Sequence, residues 1–119
     1  MRDRFARGWD PLRPEDLGLL WEHVVLEHLQ ARFPDTPLRY WRDKSGREVD
    51  FVLAHRRDQV DTVECKWDGG AFDGAALRVF RTYYPKGRNY LVTPSALTPY
   101  TKNYGGLEVT ICTPTALRP

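Results

Sequence analysis

Glu48-Val49-Asp50-Phe51-Val52-Leu53 and, a few residues on, Val60-Asp61-Thr62-Val63-Glu64-Cys65-Lys66-Trp67 are the stretches whose reading decides the fold. Both alternate charged or polar residues with apolar ones, the period of a strand with two unlike faces. His55-Arg56-Arg57-Asp58 between them is short and polar enough for a hairpin loop. If His55 pairs with Gln59 around a three-residue loop, Asp50 falls opposite Glu64 and Glu48 opposite Lys66. All four charges then project from one face, while Val49, Phe51, Leu53, Val63 and Cys65 project from the other into a core. A loop one residue shorter or longer separates them unless a bulge compensates.

Upstream, residues 14–33 read as one helix, with Pro14, Glu15 and Asp16 in its first turn and Pro34 forbidding continuation. Its apolar stripe is expected at Leu19, Leu26, Leu29 and Phe33, widened by Leu20 and Val24, and it is interrupted by Glu22. Gly18, one turn before Glu22, is expected to let the helix approach the sheet closely. Residues 38–41 make a short strand, and Lys44-Ser45-Gly46 a turn. Downstream, Asp68-Gly69-Gly70 breaks the pattern. Phe72, Ala75, Ala76, Val79, Phe80 and Tyr83 then recur at helical spacing until Pro85 and Gly87. Residues 89–93 and 107–112 are strands, separated by a loop in which Gly105-Gly106 signals a turn. The order is helix, three strands, helix, one or two strands. Strands on both sides of a crossover helix imply a mixed sheet with helices packed on it, hence α/β.

The 119 residues suit one domain, with residues 1–13 an N-terminal extension and 94–119 a tail outside the main pattern. A content of 41% hydrophobic and 29% charged residues excludes a disordered chain. Two cysteines, Cys65 and Cys112, are too few for a disulfide framework or a four-ligand zinc site. No apolar run approaches the ~18 residues of a membrane span, and Met1-Arg-Asp-Arg-Phe5 does not open a signal peptide. The expected compartment is the cytoplasm, with reduced thiols and no membrane partner. A net charge of +2 is short of a dedicated nucleic-acid binder. Locally, however, Arg39, Arg42, Lys44, Arg47, Arg56 and Arg57 crowd one region with Tyr40 and Trp41, which suits either a phosphate-backbone track or a solvated basic edge.

Two carboxylates opposite each other repel, so a bare Asp50-Glu64 pair is unfavourable unless a divalent cation joins it. Hard oxygen ligands suit Mg²⁺ or Mn²⁺, and Lys66 would stand beside the ion to orient a water or stabilise charge on a phosphate. The alternative is an exposed face whose charges pair as surface salt bridges. Glu22 is either drawn toward that acidic face or is a half-exposed residue at the edge of the stripe, like Glu27. His23, His28 and His55 are dispersed and Cys65 points to the core, which argues against zinc or thiol chemistry. Trp21, Trp67, Phe72, Phe80 and Tyr83 read most simply as core.

Helix-borne Glu22, then Asp50, then Glu64-Cys65-Lys66 resemble the PD-(D/E)XK nuclease superfamily. Gly18-Leu-Leu-Trp-Glu22, Tyr40-Trp-Arg-Asp-Lys-Ser-Gly-Arg-Glu-Val-Asp-Phe51 and Val63-Glu-Cys-Lys66 are similar, more closely, to the C-terminal nuclease-like domain of archaeal-type AAA+ ATPases. The resemblance covers residues 14–93. It implies a restriction-endonuclease-like sheet and a site in which Asp50, Glu64 and the Cys65 carbonyl hold Mg²⁺ or Mn²⁺. Glu22 would act through a water on the ion or through a second ion, Lys66 would assist the attacking water, and the reaction would be DNA phosphodiester hydrolysis. Arg42, Lys44 and Arg47 would contact the nucleic acid. The chain has no G-x-x-x-x-G-K, so on this reading it does not hydrolyse ATP itself. An AAA+ ATPase partner or a second copy of the chain is expected in its place, on an apolar surface that Phe5 and Trp9 would cover in the isolated domain. The other function class is an inactive module that binds DNA or docks on such an ATPase.

Overall fold

A computed structural model describes residues 13–117; the expectations for Phe5 and Trp9 lie outside them. Helix α1 (Pro14–Arg32) leads into strands β1 (Leu38–Arg42), β2 (Glu48–Arg56) and β3 (Gln59–Cys65). Helix α2 (Ala75–Tyr83) crosses to β4 (Asn89–Val92), and β5 (Tyr100–Tyr104) and β6 (Leu107–Cys112) complete the chain, with short 3₁₀ turns at Gly69–Ala71 and Pro114–Ala116. The six strands form one sheet in the order β1-β2-β3-β4-β6-β5, parallel on both sides of β4 and antiparallel elsewhere. This is the expected mixed α/β sheet flanked by helices. β5 occupies part of what the sequence presents as a loop. Its residues are mostly exposed, so no alternation of burial marks it.

Each face of the sheet carries one helix and one apolar core. Val25, Leu29 and Phe33 of the α1 segment pack on Leu53, Val63, Tyr90, Val92 and Cys112. On the other face, Leu77 and Phe80 of α2 pack with Phe72 on Val49, Val52, Val60, Leu91, Val109 and Ile111. The inward face of α1 is therefore Trp21, Val25, Leu29 and Phe33, and the expected stripe is corrected: Leu19, Leu20 and Val24 are about half exposed or more. Gly18 is corrected too, because a Cβ there would meet nothing within 4 Å. A glycine inside a helix with open space above it costs conformational entropy for no packing return. Gly18→Ala should therefore raise the unfolding free energy by about 0.5–1 kcal/mol, read from urea denaturation; a loss of stability would show that the space is filled.

The crossover between α2 and β4 is held by a buried guanidinium. Arg81 is 6% exposed and donates from Nε to Asn89 Oδ1 (2.8 Å), from Nη1 to the carbonyls of Tyr84 and Lys86 (both 3.0 Å) and from Nη2 to that of Arg88 (2.8 Å). Gly87 has a φ of +139°, and a Cβ there would collide with the Val60 carbonyl, so the connection can pass this close to β3 only as glycine.

Candidate active site

The β2–β3 ladder pairs Phe51 with Val63, Val52 with Thr62, Leu53 with Asp61 and Ala54 with Val60, the register that brings Asp50 level with Glu64. It is reached by a different turn from the expected one. Arg56, not His55, pairs with Gln59, and a bulge at His55 absorbs the extra residue. A second irregularity lies on the β1 side, where Arg39 pairs with Val52 but Trp41 with Val49, so that Asp50 and Phe51 together face Tyr40. This bulge turns Val49 into the α2-side core with Val52, not into the core that holds Phe51, Leu53 and Val63. The expected Glu48–Lys66 pair is not among the β2–β3 pairs, and the two form no ion pair among the described residues. Glu48 is the ladder partner of Arg42, whose Nε lies 3.4 Å from Glu48 Oε1.

At the bulge the two carboxylates are locked to each other's backbone. The Asp50 N–H donates to Glu64 Oε1 (2.7 Å) and the Cys65 N–H donates to Asp50 Oδ2 (2.9 Å). Among the described residues, the second oxygen of each carboxylate takes no hydrogen bond from the protein. Glu64 is 6% exposed. Burial, reinforced by the Asp50 charge, pushes its carboxyl up to about 8. Burial also raises Asp50, against the Cys65 N–H and the Lys66 charge. The Cys65 thiol is driven upward by burial and then by the charges of Asp50, Glu22 and Glu64, which makes it a poor nucleophile.

Lys66 follows the end of β3, and its N–H donates to the Val92 carbonyl at 3.1 Å. The same carbonyl accepts from Trp21 Nε1 at 2.9 Å, and Trp21 meets Trp67 edge-on with ring centroids 6.1 Å apart. Trp21 thus fastens α1 to the strand ends beside Lys66, a positioning role that its reading as plain core did not anticipate. Glu22, next along the helix, is exposed, the stripe-edge alternative. Its charge reaches Cys65, but it makes no hydrogen bond or ion pair among the described residues. Lys66 likewise makes no ion pair among them, although its charge lowers both Asp50 and Glu64. Among the described residues, no three His, Cys, Asp or Glu side chains converge as a ready metal-binding set. Two carboxylates with open oxygens still fit Mg²⁺, which is commonly held by one or two carboxylates plus substrate phosphates and keeps several waters.

The basic crowd seen in the sequence divides. Arg42, Lys44 and Arg47 lie at the start of β2, beside the acidic pair, whereas Arg56 and Arg57 lie at its far end, ~25 Å away at ~3.3 Å per strand residue. In the β1–β2 turn, Asp43 accepts from the backbone of Ser45 and Arg47 (both 2.9 Å) and pairs with Arg47 Nε at 2.7 Å. The Arg47 hydrogen bond, chief among these contacts, holds the Asp43 carboxyl below its ordinary value. Tyr83, expected in the core, is 67% exposed, as is nearly half of Trp67. Tyr83 and Tyr84 are consecutive at a helix end and cannot both face the core, which was the signal available in the sequence.

A mixed sheet with one helix on each face and a carboxylate pair beside a lysine at one end of its central strands defines an α/β domain with a candidate acidic site. The chain belongs to the DUF4143 family, a domain of unknown function, whose model matches residues 17–113. No curated protein matches the sequence. The fold is similar to that of a chain in the solved assembly of Thermococcus gammatolerans McrB AAA+ hexamers with bound McrC, with a TM-score of 0.60 at 13% identity. That likeness covers 86% of this chain and 30% of the other, so the present chain spans about a third of it.

Proposed function

We propose that this domain is a Mg²⁺- or Mn²⁺-dependent nuclease acting on DNA, with Asp50 and Glu64 holding the ion. The observation that carries the reading is the carboxylate pair, Glu64 buried and Asp50 half-buried, locked by reciprocal backbone hydrogen bonds, each with an oxygen that takes no hydrogen bond among the described residues. Such a pair is unfavourable alone and becomes favourable with a divalent cation. The carbonyl of Cys65 lies between Glu64 and Lys66 in the chain and is the further oxygen donor for the ion. A bound ion would supply Lewis-acid polarisation of a phosphodiester. Asp50 and Glu64 fix its position, because their bonded oxygens cannot rotate away without breaking a backbone hydrogen bond. Lys66 presents an unpaired ammonium to the charge that builds on the phosphate, and it can orient the attacking water. Glu22, exposed on α1, would act through a water on the ion or through a second ion. Arg42, Lys44 and Arg47 meet the backbone of the DNA.

The second reading is a docking module on an AAA+ ATPase, favoured by the likeness to a chain from an assembly that contains AAA+ hexamers. One experiment separates the two: titration with Mg²⁺ and Mn²⁺ followed by incubation with supercoiled, linear and branched DNA. The parent should cut. Asp50→Asn should weaken divalent binding at least ~10-fold by calorimetry, and Lys66→Ala should reduce cleavage ~100-fold or more with metal binding retained. Cleavage unchanged in both variants refutes the site, and a parent that neither cuts nor binds DNA leaves the docking reading.

A further inference from the structure

On the edge of the sheet covered by the end of α2 lies an open groove of about 450 Å³, whose cations the nuclease reading assigns to DNA phosphates and whose tyrosine wall it leaves unused. One wall is the β1–β2 turn with Arg42, Asp43, Lys44 and Arg47, in which the Asp43 carboxylate is taken up by Arg47 at 2.7 Å, and the other is Tyr83 and Tyr84. Both tyrosines are exposed, 67% and 46%. Each ring is backed by an aromatic of the core: Tyr83 lies 6.4 Å from Trp41 and Tyr84 lies 5.0 Å from Phe80, between centroids. The backbone beneath them is held by Arg81, which grips the Tyr84 carbonyl at 3.0 Å. Among the described residues neither phenol hydroxyl has a hydrogen-bond partner, and Lys44 has no ion pair. Arg42 on the groove wall pairs with Glu48 at 3.4 Å, and the Glu48 charge is felt at both Asp50 and Glu64.

We propose that this groove binds unpaired nucleic acid, with bases stacking on Tyr83 and Tyr84 and phosphates meeting Lys44 and Arg47, so that a single strand is led toward Asp50 and Glu64. Preset aromatic faces beside cations suit bases and phosphates together, and a duplex hides the base faces that such a platform needs. An acidic peptide would use the cations and leave the rings unused. The inference rests on the nuclease reading for its direction toward the acidic pair, but binding can be read without cleavage.

The test is fluorescence anisotropy of the whole chain in EDTA with a labelled oligothymidylate of about 12 nucleotides, within the range such sites occupy, and with a duplex of equal length. The parent should bind the single strand at least ~10-fold more tightly than the duplex. Tyr83→Ala should weaken single-strand binding roughly 5- to 100-fold, while Tyr83→Phe, which keeps the stacking face, should bind like the parent. Lys44→Ala should lower affinity for both substrates and reduce the salt slope by about 1. Circular dichroism checks that each variant folds, and the exposed Tyr83 carries the test without disturbing the packing of Tyr84 on Phe80. Equal affinity for duplex, indifference to Tyr83→Ala, no binding by the folded parent, or equally effective competition by polyglutamate would each overturn the proposal. A parent that binds single strands through Tyr83 but cuts nothing sinks only the nuclease reading. A parent that cuts DNA but ignores Tyr83→Ala sinks only the groove.

Discussion

Metal-free protein should lose stability as the pH rises from about 5 to 9, and Glu64→Gln should remove most of that loss. Burial holds the Glu64 carboxyl up at about 8 against an ordinary 4.5. Between those values the folded chain keeps a proton that the unfolded chain has released. The stabilisation is therefore complete below about 4.5 and is lost as the pH passes through about 8. The raised carboxyl of Asp50 acts in the same direction. At ~1.4 kcal/mol per pH unit the swing has an upper bound on the order of 4–5 kcal/mol. Glutamine can still accept the Asp50 N–H through its amide oxygen without carrying a charge. The variant should be at least ~2 kcal/mol more stable than the parent near pH 8.5, with a flatter profile. Millimolar Mg²⁺ should restore the parent at that pH and leave Glu64→Gln unmoved. Chemical denaturation across pH, with and without Mg²⁺, reads all of this; a parent whose stability is flat from pH 5 to 9 would contradict the burial argument.

Arg81→Met should cost about 3–5 kcal/mol, among the largest effects of any single change in this chain. Methionine fills much of the volume but donates nothing, so Asn89 Oδ1 and the carbonyls of Tyr84, Lys86 and Arg88 lose their donor together. Arg81→Lys should rescue little, because one ammonium on a flexible stem cannot reproduce a planar fork that reaches four acceptors. Thermal unfolding should move down by ~10 °C or more for the methionine variant. A shift of only a degree or two would mean that water replaces the guanidinium at little cost.

The β2–β3 register was legible in the sequence because charged residues alternate there with apolar ones. A slip by one residue would move Phe51, Leu53, Val63 and Cys65 out of the α1-side core and put Asp50 and Glu64 into it. The bulge at Asp50 and Phe51 was not legible, because Val49, Val52 and Leu53 are all buried on one side or the other and their order is compatible with either face. The inward face of α1 was misread for a related reason. Leu19, Leu20 and Val24 are as apolar as Trp21, Val25 and Leu29, and periodicity cannot choose between two apolar faces. For the candidate site, the residue types and their order could be read directly. The reciprocal hydrogen bonds, the pairing of Glu48 with Arg42 and the anchoring of α1 through Trp21 depend on the bulge and on the end of β4, which no local pattern encodes.

The position of β4 governs how the chain assembles. β1, β2 and β3 form a meander of sequence neighbours, and β5 and β6 a hairpin, so both units close over short loops soon after collapse. Neither unit touches the other in the sheet except through β4, whose two partners are parallel and distant in sequence. Insertion of that central strand closes the longest loops of the sheet and is expected to be the slow step of folding. The Val92 carbonyl that joins α1 to Lys66 lies at the end of that strand, so α1 is expected to reach the strand ends beside Lys66 only once β4 is in place.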